Sequence, residues 1–303
     1  MRYQDAAAFR QALEQRLKDR ADGDGARLVR DRKRVAFDRL LARLLAVAPR
    51  QWLLKGGFAL DLRLAARARS TRDIDIEWRA DEKELLDSLL DAASHDAGDF
   101  FAFAIERTGE PEDRLGGSHR FRVSASLAAR PFENFLLDVG LRADDALTTE
   151  TLRTDDLLGF AGIEPVEVDA VPLELQVAEK LHAYTRTYEG GRTSTRPKDL
   201  IDLALISELS TLDAASLQRE IETIFALRGT HSAPKALPSP PAEWAAPFRR
   251  LAKEVGVPDE LAAGHSDAAA LLDPILSEEI TAGQWDPARQ RWTVDKPKME
   301  RST

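Results

Sequence analysis

The chain has 303 residues, no cysteine and a formal net charge of -9; 43% of its residues are hydrophobic and 31% are charged. This composition is ordinary for a globular protein, and the length is sufficient for one large or two medium domains. The absence of cysteine excludes disulfides, thiolate metal ligands and cysteine nucleophiles. No apolar run approaches the roughly 18 residues of a membrane span, and the N-terminus lacks the apolar core of a signal peptide, so we expect a cytoplasmic protein.

Two helices are predicted before Pro49, because apolar residues recur there at helical spacing on both sides of a break at 21–25. The second helix is unusually basic. One interpretation is a solvated helix face, and the other is an electrostatic guide for a phosphate backbone. The overall negative charge argues against nonspecific nucleic-acid binding over the whole surface. The basic residues are Arg27, Arg30, Arg32, Lys33, Arg34, Arg39, Arg43 and Arg50.

A glycine pair follows the basic helix. A short apolar segment at 52–54 runs into Lys55, Gly56 and Gly57, and a new helical pattern begins at once. This order predicts a strand, a glycine turn and a helix. The free N–H groups at a helix start can hold a phosphate, and glycine lets the backbone approach it closely. A simple tight turn is the alternative interpretation.

An acidic strand comes next. Asp73, Asp75 and Glu77 alternate with apolar residues, so a strand here places all three on one face. Two carboxylates so placed form a hard-oxygen site that suits Mg²⁺, and a pair of such ions can assist phosphoryl transfer. Asp138, in a later strand-like run, is a candidate third ligand. An exposed acidic strand face without metal is the alternative.

The rest of the chain predicts a mixed α/β first half and a mainly helical second half. A turn-rich stretch containing Gly116 and Gly117 separates two of the strands, and proline and serine at 229–241 predict a loop. We therefore place one domain at 1–165 and a helical domain at 166–303. The predicted helices are 82–90, 173–188, 198–209, 211–227, 243–255 and 267–279, and the predicted strands are 73–78, 100–106, 120–127 and 135–139.

Two sequence blocks resemble the AbiEii/AbiGii toxin family of nucleotidyltransferases, which belongs to the polymerase-beta-like superfamily. The first block is LKGGFAL at 54–60 with STRDID at 70–75, and the second is EKL at 179–181 with RPKDLIDL at 196–203. The resemblance covers about half of the chain. It implies an α+β fold, in which a polymerase-beta-like core with a mixed sheet is joined to a C-terminal helical domain.

The resemblance also implies an activity. The enzyme would transfer NMP from an NTP to an acceptor, the 3′ end of tRNA, and release pyrophosphate. It would act as the toxin of a toxin–antitoxin or phage-defence pair, with Mg²⁺, expected as two ions, as cofactor and a cognate antitoxin as partner. The residues carried over are Asp73 and Asp75 as catalytic metal ligands, Lys180 and Asp202 as further catalytic residues, and Lys55, Gly56, Gly57, Arg196, Lys198 and Asp199 as nucleotide-binding residues.

Two other functions are compatible with the sequence. The same enzyme could act on a small molecule or a protein side chain instead of RNA. Alternatively, the chain is a noncatalytic binding module of the same fold. Phe58 supports the second alternative, because the superfamily favours serine or threonine after the glycines.

Several site residues have simpler interpretations. Ser70 and Thr71 suit local hydrogen bonding at the strand entrance, or a hydroxyl that accepts a phosphoryl or nucleotidyl group in cis. Lys180 is also compatible with an exposed helix lysine. Asp199 and Asp202 are each candidates for the acidic role on the second helix, and each is also compatible with an ion pair to a basic neighbour one turn away.

Overall fold

The computed structural model of the protein describes residues 1–64, 67–109, 119–141, 148–188, 192–193 and 196–293. The predicted turn at Gly116 and Gly117 lies outside these residues. Two compact units are present. The N-terminal unit consists of Met1–Ala65 and Ser70–Val171, and the helical unit consists of Ala66–Arg69 and Pro172–Thr303.

Four helices of the N-terminal unit begin at well-defined signals. Asp5, Asp24 and Asp81 each accept hydrogen bonds from backbone N–H groups of the following turn, and thereby cap α1, α2 and α4. The third helix, α3, follows the first strand directly at the glycine pair. The helices are α1 at Ala6–Ala21, α2 at Gly25–Val47, α3 at Gly56–Leu64 and α4 at Glu82–Ser94.

A seven-stranded mixed sheet forms the centre of this unit, with the order β3-β4-β5-β2-β1-β7-β6. The pairs β2–β5 and β1–β7 are parallel, and the remaining neighbours are antiparallel. The predicted mixed sheet is therefore confirmed. The strands are β1 at Trp52–Lys55, β2 at Asp73–Trp78, β3 at Phe101–Arg107, β4 at His119–Leu127, β5 at Arg130–Leu141, β6 at Glu150–Arg153 and β7 at Glu167–Ala170.

Helix α2 packs on one face of the sheet through aromatic side chains. The ring of Phe37 lies 4.8 Å from that of Phe135 in β5 and 4.9 Å from that of Phe58 in α3. Ile74 and Ile76 of β2 are also fully buried. The apolar side of β2 therefore faces the core, as the alternation predicts.

The basic helix α2 is largely internal. Arg43 is 0% exposed and donates to both carboxylate oxygens of Asp99, at 2.9 and 2.7 Å. Arg34 forms a two-point pair with Asp61, with both bonds at 2.7 Å, and Arg39 pairs with Asp38. Both interpretations of this helix are wrong for its central part, because buried carboxylates neutralise these arginines inside the fold.

The described residues of the helical unit form five α-helices. Two short hairpins accompany them, and the sequence predicted neither. In the second hairpin, Trp285 is 1% exposed and donates to the Ser207 carbonyl at 2.7 Å. No described helix is long and apolar enough to cross a membrane. The elements are α5 at Leu173–Thr185, α6 at Pro197–Leu209, α7 at Ala214–Arg228, α8 at Ala245–Val255 and α9 at Leu261–Leu276, with hairpin β8–β9 at Thr187–Tyr188 and Arg192–Thr193 and hairpin β10–β11 at Gln284–Asp286 and Arg291–Thr293.

Candidate active site

The carboxylate face is the side of β2 that carries Asp73, Asp75 and Glu77. All three are partly exposed, whereas the intervening residues are buried. Asp75 lies beside Lys55 of β1 on one side and Asp138 of β5 on the other, in direct register. Because neighbouring strands are about 4.8 Å apart, these side chains form one lateral row on the sheet. The structure therefore brings the predicted strand residues of this unit together.

Gly56 makes room for the carboxylate of Asp75. Its φ is +66°, and a Cβ atom built there would lie 2.0 Å from Oδ2 of Asp75. A side chain at this position would therefore occupy the place of the carboxylate. Gly56 also begins α3, so the Asp75 carboxylate lies against the N-terminal end of a helix, where negative charge is favoured.

Phe58 anchors the glycine turn from the core side. It is 1% exposed and packs edge-on against Phe37. The side chain that follows the glycine pair thus points into the core. The superfamily favours serine or threonine at this position. Phenylalanine here therefore replaces a hydroxyl with a packing contact.

Thr71 orients the first carboxylate. Its hydroxyl donates to Oδ1 of Asp73 at 2.7 Å, and the residue is 5% exposed. This contact confirms the prediction of local hydrogen bonding at the strand entrance. It also fixes the direction of the Asp73 side chain before any ligand binds.

Lys55 reaches along the carboxylate face to Glu77, and the two side chains form an ion pair. Gly140 of β5 leaves space for this pair, because a Cβ atom there would lie 3.0 Å from Oε2 of Glu77 and 3.3 Å from Nζ of Lys55. Sequence reasoning assigned no role to Glu77 or Gly140. The signal for Glu77 was its spacing of two residues from Asp75.

Asp138 is held by an arginine on the next strand. Arg120 of β4 is paired in register with Asp138, and its Nε and Nη2 donate to the two carboxylate oxygens at 2.7 and 2.8 Å. Within the described part of the chain, no group of three or more His, Asp or Glu residues has the arrangement of a metal site.

A second cluster of predicted residues lies in the helical unit. Nζ of Lys180 on α5 donates to Oδ2 of Asp202 on α6 at 2.5 Å, and Oδ1 of Asp199 lies 3.7 Å from the same ammonium group. Arg69 donates to both oxygens of Asp202, at 2.9 and 3.0 Å. Lys180 is thus buried between two aspartates, and the exposed-lysine interpretation is wrong.

The charge of Asp202 is stabilised by its two cations. Burial acts to raise the pKa of this carboxyl, but the adjacent Lys180 and Arg69 outweigh it and hold the pKa below its usual range. Asp202 is 2% exposed, so its oxygens are engaged within the fold. Arg69 was missed by sequence reasoning, although it stands one residue before the STRDID block.

The remaining predicted residues lie on the first turn of α6 or just before it. Nη1 of Arg196 is 4.0 Å from Oδ2 of Asp199, which is a loose ion pair. Lys198 is exposed. The structure thus brings Lys180, Asp199 and Asp202 together and leaves Lys198 on the surface of the helix.

Comparison with known proteins identifies a family whose model matches most of the chain. The family model for the nucleotidyl transferase AbiEii toxin of type IV toxin–antitoxin systems matches residues 39–295. No curated protein matches the chain. MenT4, a nucleotidyltransferase toxin from Mycobacterium tuberculosis H37Rv, is similar in structure with a TM-score of 0.55, at 21% identity over 89% of each chain. JHP933 from Helicobacter pylori has a TM-score of 0.43 at 14% identity, covering 82% of this chain and 93% of that one.

The fold and the match together define a nucleotidyltransferase of mixed α/β architecture. The chain belongs to the AbiEii family of nucleotidyltransferase toxins of type IV toxin–antitoxin systems. The resemblance seen in the two sequence blocks is thereby confirmed, and the match extends well beyond the segment that those blocks span. An antitoxin partner and an NTP substrate follow from membership of this family.

Proposed function

We propose that the protein transfers NMP from an NTP to the 3′ end of tRNA in a reaction that depends on Mg²⁺. The observation that carries the proposal is the placement of Asp73 and Asp75 on one face of β2, with Asp75 seated against Gly56 at the start of α3. A hard-oxygen pair beside a helix N-terminus suits a metal-bound triphosphate. Growth inhibition would follow from loss of a usable tRNA 3′ end.

The donor set fits Mg²⁺, with Asp73 and Asp75 as the residues that would hold the metal. Thr71 fixes the direction of Asp73, and the gap above Gly56 holds the carboxylate of Asp75. When bound, the metal supplies positive charge to the triphosphate and to the attacking hydroxyl. Mg²⁺ prefers one or two carboxylates together with substrate phosphates, and this pair meets that preference.

The reaction is an in-line displacement. The acceptor hydroxyl forms a bond to the α-phosphorus, the bond from that phosphorus to the β-phosphate oxygen breaks, and pyrophosphate leaves. Lys55 and the N–H groups of the glycine turn bind and orient the triphosphate. In the helical unit, Lys180 is proposed to contact phosphate, with Asp202 and Asp199 holding its ammonium group and Arg196 and Lys198 adding positive charge. Catalysis of this type rests on positioning and electrostatic stabilisation.

The test is a transfer assay with purified protein, total tRNA, Mg²⁺ and each labelled NTP in turn. Asp73→Asn and Asp75→Asn preserve side-chain shape and remove the charge, so each should reduce transfer by at least about a hundredfold. Asp87→Asn is the matched control, because Asp87 is exposed on α4 of the same unit. Equal activity in Asp75→Asn and wild type would refute the site.

A second acceptor class is favoured by one observation. The central arginines of α2 are buried in ion pairs, so this helix offers no continuous basic surface for an RNA backbone. A small molecule or a protein hydroxyl is therefore the alternative acceptor. The same assay separates these classes, since the label is then recovered in a low-mass product or in protein and not in RNA.

A further inference from the structure

The Arg120–Asp138 pair lies on the same side of the sheet as the carboxylate face. Asp138 is in register with Asp75, and Arg120 is in register with Asp138. Lys55 stands on the other side of Asp75. Across four adjacent strands, the row is therefore lysine, aspartate, aspartate, arginine. A cation stands at each end of this row.

The contacts of Asp138 do not suit a metal ligand. Both of its oxygens accept hydrogen bonds from the Arg120 guanidinium, at 2.7 and 2.8 Å. A divalent cation bound to the same carboxylate would lie close to this positive group, and like charges at such distances repel. Asp138 is therefore better explained as the ion-pair partner of Arg120 than as a metal ligand.

A purely structural role also explains the pair poorly. The side chains of Arg120 and Asp138 are 37% and 13% exposed, and ion pairs with this degree of exposure contribute little to stability. Strands β4 and β5 are already joined by an unbroken antiparallel register from His119 to Ala125, and the pairing resumes after a register shift at Ala125/Ser126 and extends to Leu127. The sheet therefore does not need the ion pair to hold these strands together.

The chemistry of an arginine side chain suits it to bind phosphate. The guanidinium is planar and always charged, and its geometry matches phosphate oxygens. The contact with Asp138 already restricts this long side chain. Binding a ligand therefore costs it less conformational entropy. Arg120 lies two strands from Asp75, about 10 Å between Cα atoms at the usual strand spacing.

We propose that Arg120 binds a phosphate of the NTP and that Asp138 is the positioning residue that holds it, not a third metal ligand. This inference rests on the proposed function of the carboxylate face. The metal would then be held by Asp73 and Asp75. The two cations of the row, Lys55 and Arg120, would contact the triphosphate from opposite sides of that pair.

The experiment measures binding, not turnover. Mn²⁺ affinity is determined by electron paramagnetic resonance, and affinity for the α,β-methylene analogues of the four NTPs is determined by calorimetry with Mg²⁺ present. Arg120→Gln and Asp138→Asn should each lower the affinity for the tightest-binding analogue by about tenfold. Each should leave Mn²⁺ affinity within about twofold of wild type. The double variant should be no weaker than either single variant, because the two residues act as one unit.

Two further variants sharpen the result. Arg120→Lys keeps the charge but loses the planar fork, so it should recover only part of the affinity. Arg130→Gln is the charge-matched control, because Arg130 is exposed at the start of β5, and its analogue affinity should equal that of wild type. Circular dichroism spectra and melting temperatures matching those of wild type would show that each variant is folded.

Three results would overturn the inference. The first is a loss of Mn²⁺ affinity in Asp138→Asn with none in Arg120→Gln, which would make Asp138 a metal ligand. The second is unchanged analogue affinity in Arg120→Gln, and the third is no binding of any analogue to wild type. If the analogues bind with the expected pattern while wild type transfers no NMP, the inference stands and the proposed function fails.

Discussion

At the scale of single residues, the glycine pair shows what sequence can predict and what it cannot. The order of strand, glycine and helix correctly predicted a turn beside the acidic strand. The physical reason for Gly56 was not predictable, because the atom that excludes a side chain belongs to Asp75 on a neighbouring strand. Only the pairing of β1 with β2 brings these two residues together.

Gly56→Ala should damage the site more than the fold. The added Cβ would displace the Asp75 carboxylate, and alanine at a φ of +66° is strained by about 1–2 kcal/mol. We expect Mn²⁺ affinity and transfer activity to fall by at least about tenfold, with a lower melting temperature. Gly25→Ala is the control, because a Cβ there would meet no atom within 4 Å beyond its chain neighbours and the backbone of its own helix. Equal Mn²⁺ affinity in Gly56→Ala and wild type would contradict this account.

Asp202 has one contact that the sequence could predict and one that it could not. The motif RPKDLIDL predicted a functional carboxylate, and the structure places that carboxylate between Lys180 and Arg69. The Lys180 contact was open to prediction, since both residues belong to the second sequence block. The Arg69 contact was not, because it joins residues 133 positions apart.

At the scale of elements, helix α2 is where sequence reasoning failed. A run of arginines at helical spacing is compatible with a solvated surface or with buried ion pairs, and the pattern alone does not distinguish them. The deciding residues lie elsewhere in the chain, at Asp61 in α3 and at Asp99 before β3. Charge patterning identifies a basic helix but not the carboxylates that neutralise it.

Arg43→Met should therefore destabilise the protein strongly. It would leave Asp99, which is 1% exposed, as a buried charge without its principal partner, at a cost of about 3–5 kcal/mol. Urea unfolding should show this as a lower midpoint. Arg27→Met, on the exposed first turn of the same helix, should change stability by no more than about 0.5 kcal/mol. Similar midpoints for the two variants would disprove the internal role of α2.

A hydrogen-bond chain links α5 to the segment after α7. The Thr185 hydroxyl donates to the Leu181 carbonyl, so it must accept from Nε2 of His231, at 2.8 Å. Nδ1 of His231 is then the acceptor for Thr230, whose oxygen accepts from Nε2 of His182; both distances are 2.9 Å. Two neutral histidines satisfy every bond of this chain.

The free energy of unfolding of the helical unit should consequently fall in mild acid. Burial lowers the pKa of His182 to about 4, aided by the nearby His231, Arg228 and Arg186. A lowered pKa favours the neutral form in the folded state, so its stability contribution is complete above pH 6.5 and is lost as the pH falls toward 4.

Unfolding measurements at two pH values test this dependence. The loss from His182 alone should be about 2 kcal/mol between pH 7 and pH 5. His182→Gln removes the titrating group and should abolish that part of the change in unfolding free energy with pH. His95→Gln, a histidine on the C-terminal side of α4 in the other unit, serves as control. A slope that is the same in His182→Gln and wild type would show that the ring is already protonated or does not titrate here.

At the scale of the whole molecule, most elements were predicted in the right order, but strands β6 and β7 of the central sheet were missed, since each has only four residues. The mixed sheet of the first half and the helices of the second are present, with ends that differ by a few residues. The hairpin β10–β11 was missed because its strands have only three residues each, too few for a visible alternation. Its stability comes from tertiary contacts, such as the bond from Trp285 to Ser207, which no local pattern encodes.

The two units interleave along the chain, and this has a practical consequence for dissecting the protein. Residues Ala66–Arg69 belong to the helical unit although they lie between α3 and β2. Within that unit, Arg67 donates to both oxygens of Glu208 at 3.0 Å, as Arg69 does to Asp202. A single cut after Val171 therefore strips the C-terminal fragment of both arginines. Fragment complementation or split-gene expression at that position would require the two pieces to reassemble, and neither piece is expected to report faithfully on the intact toxin.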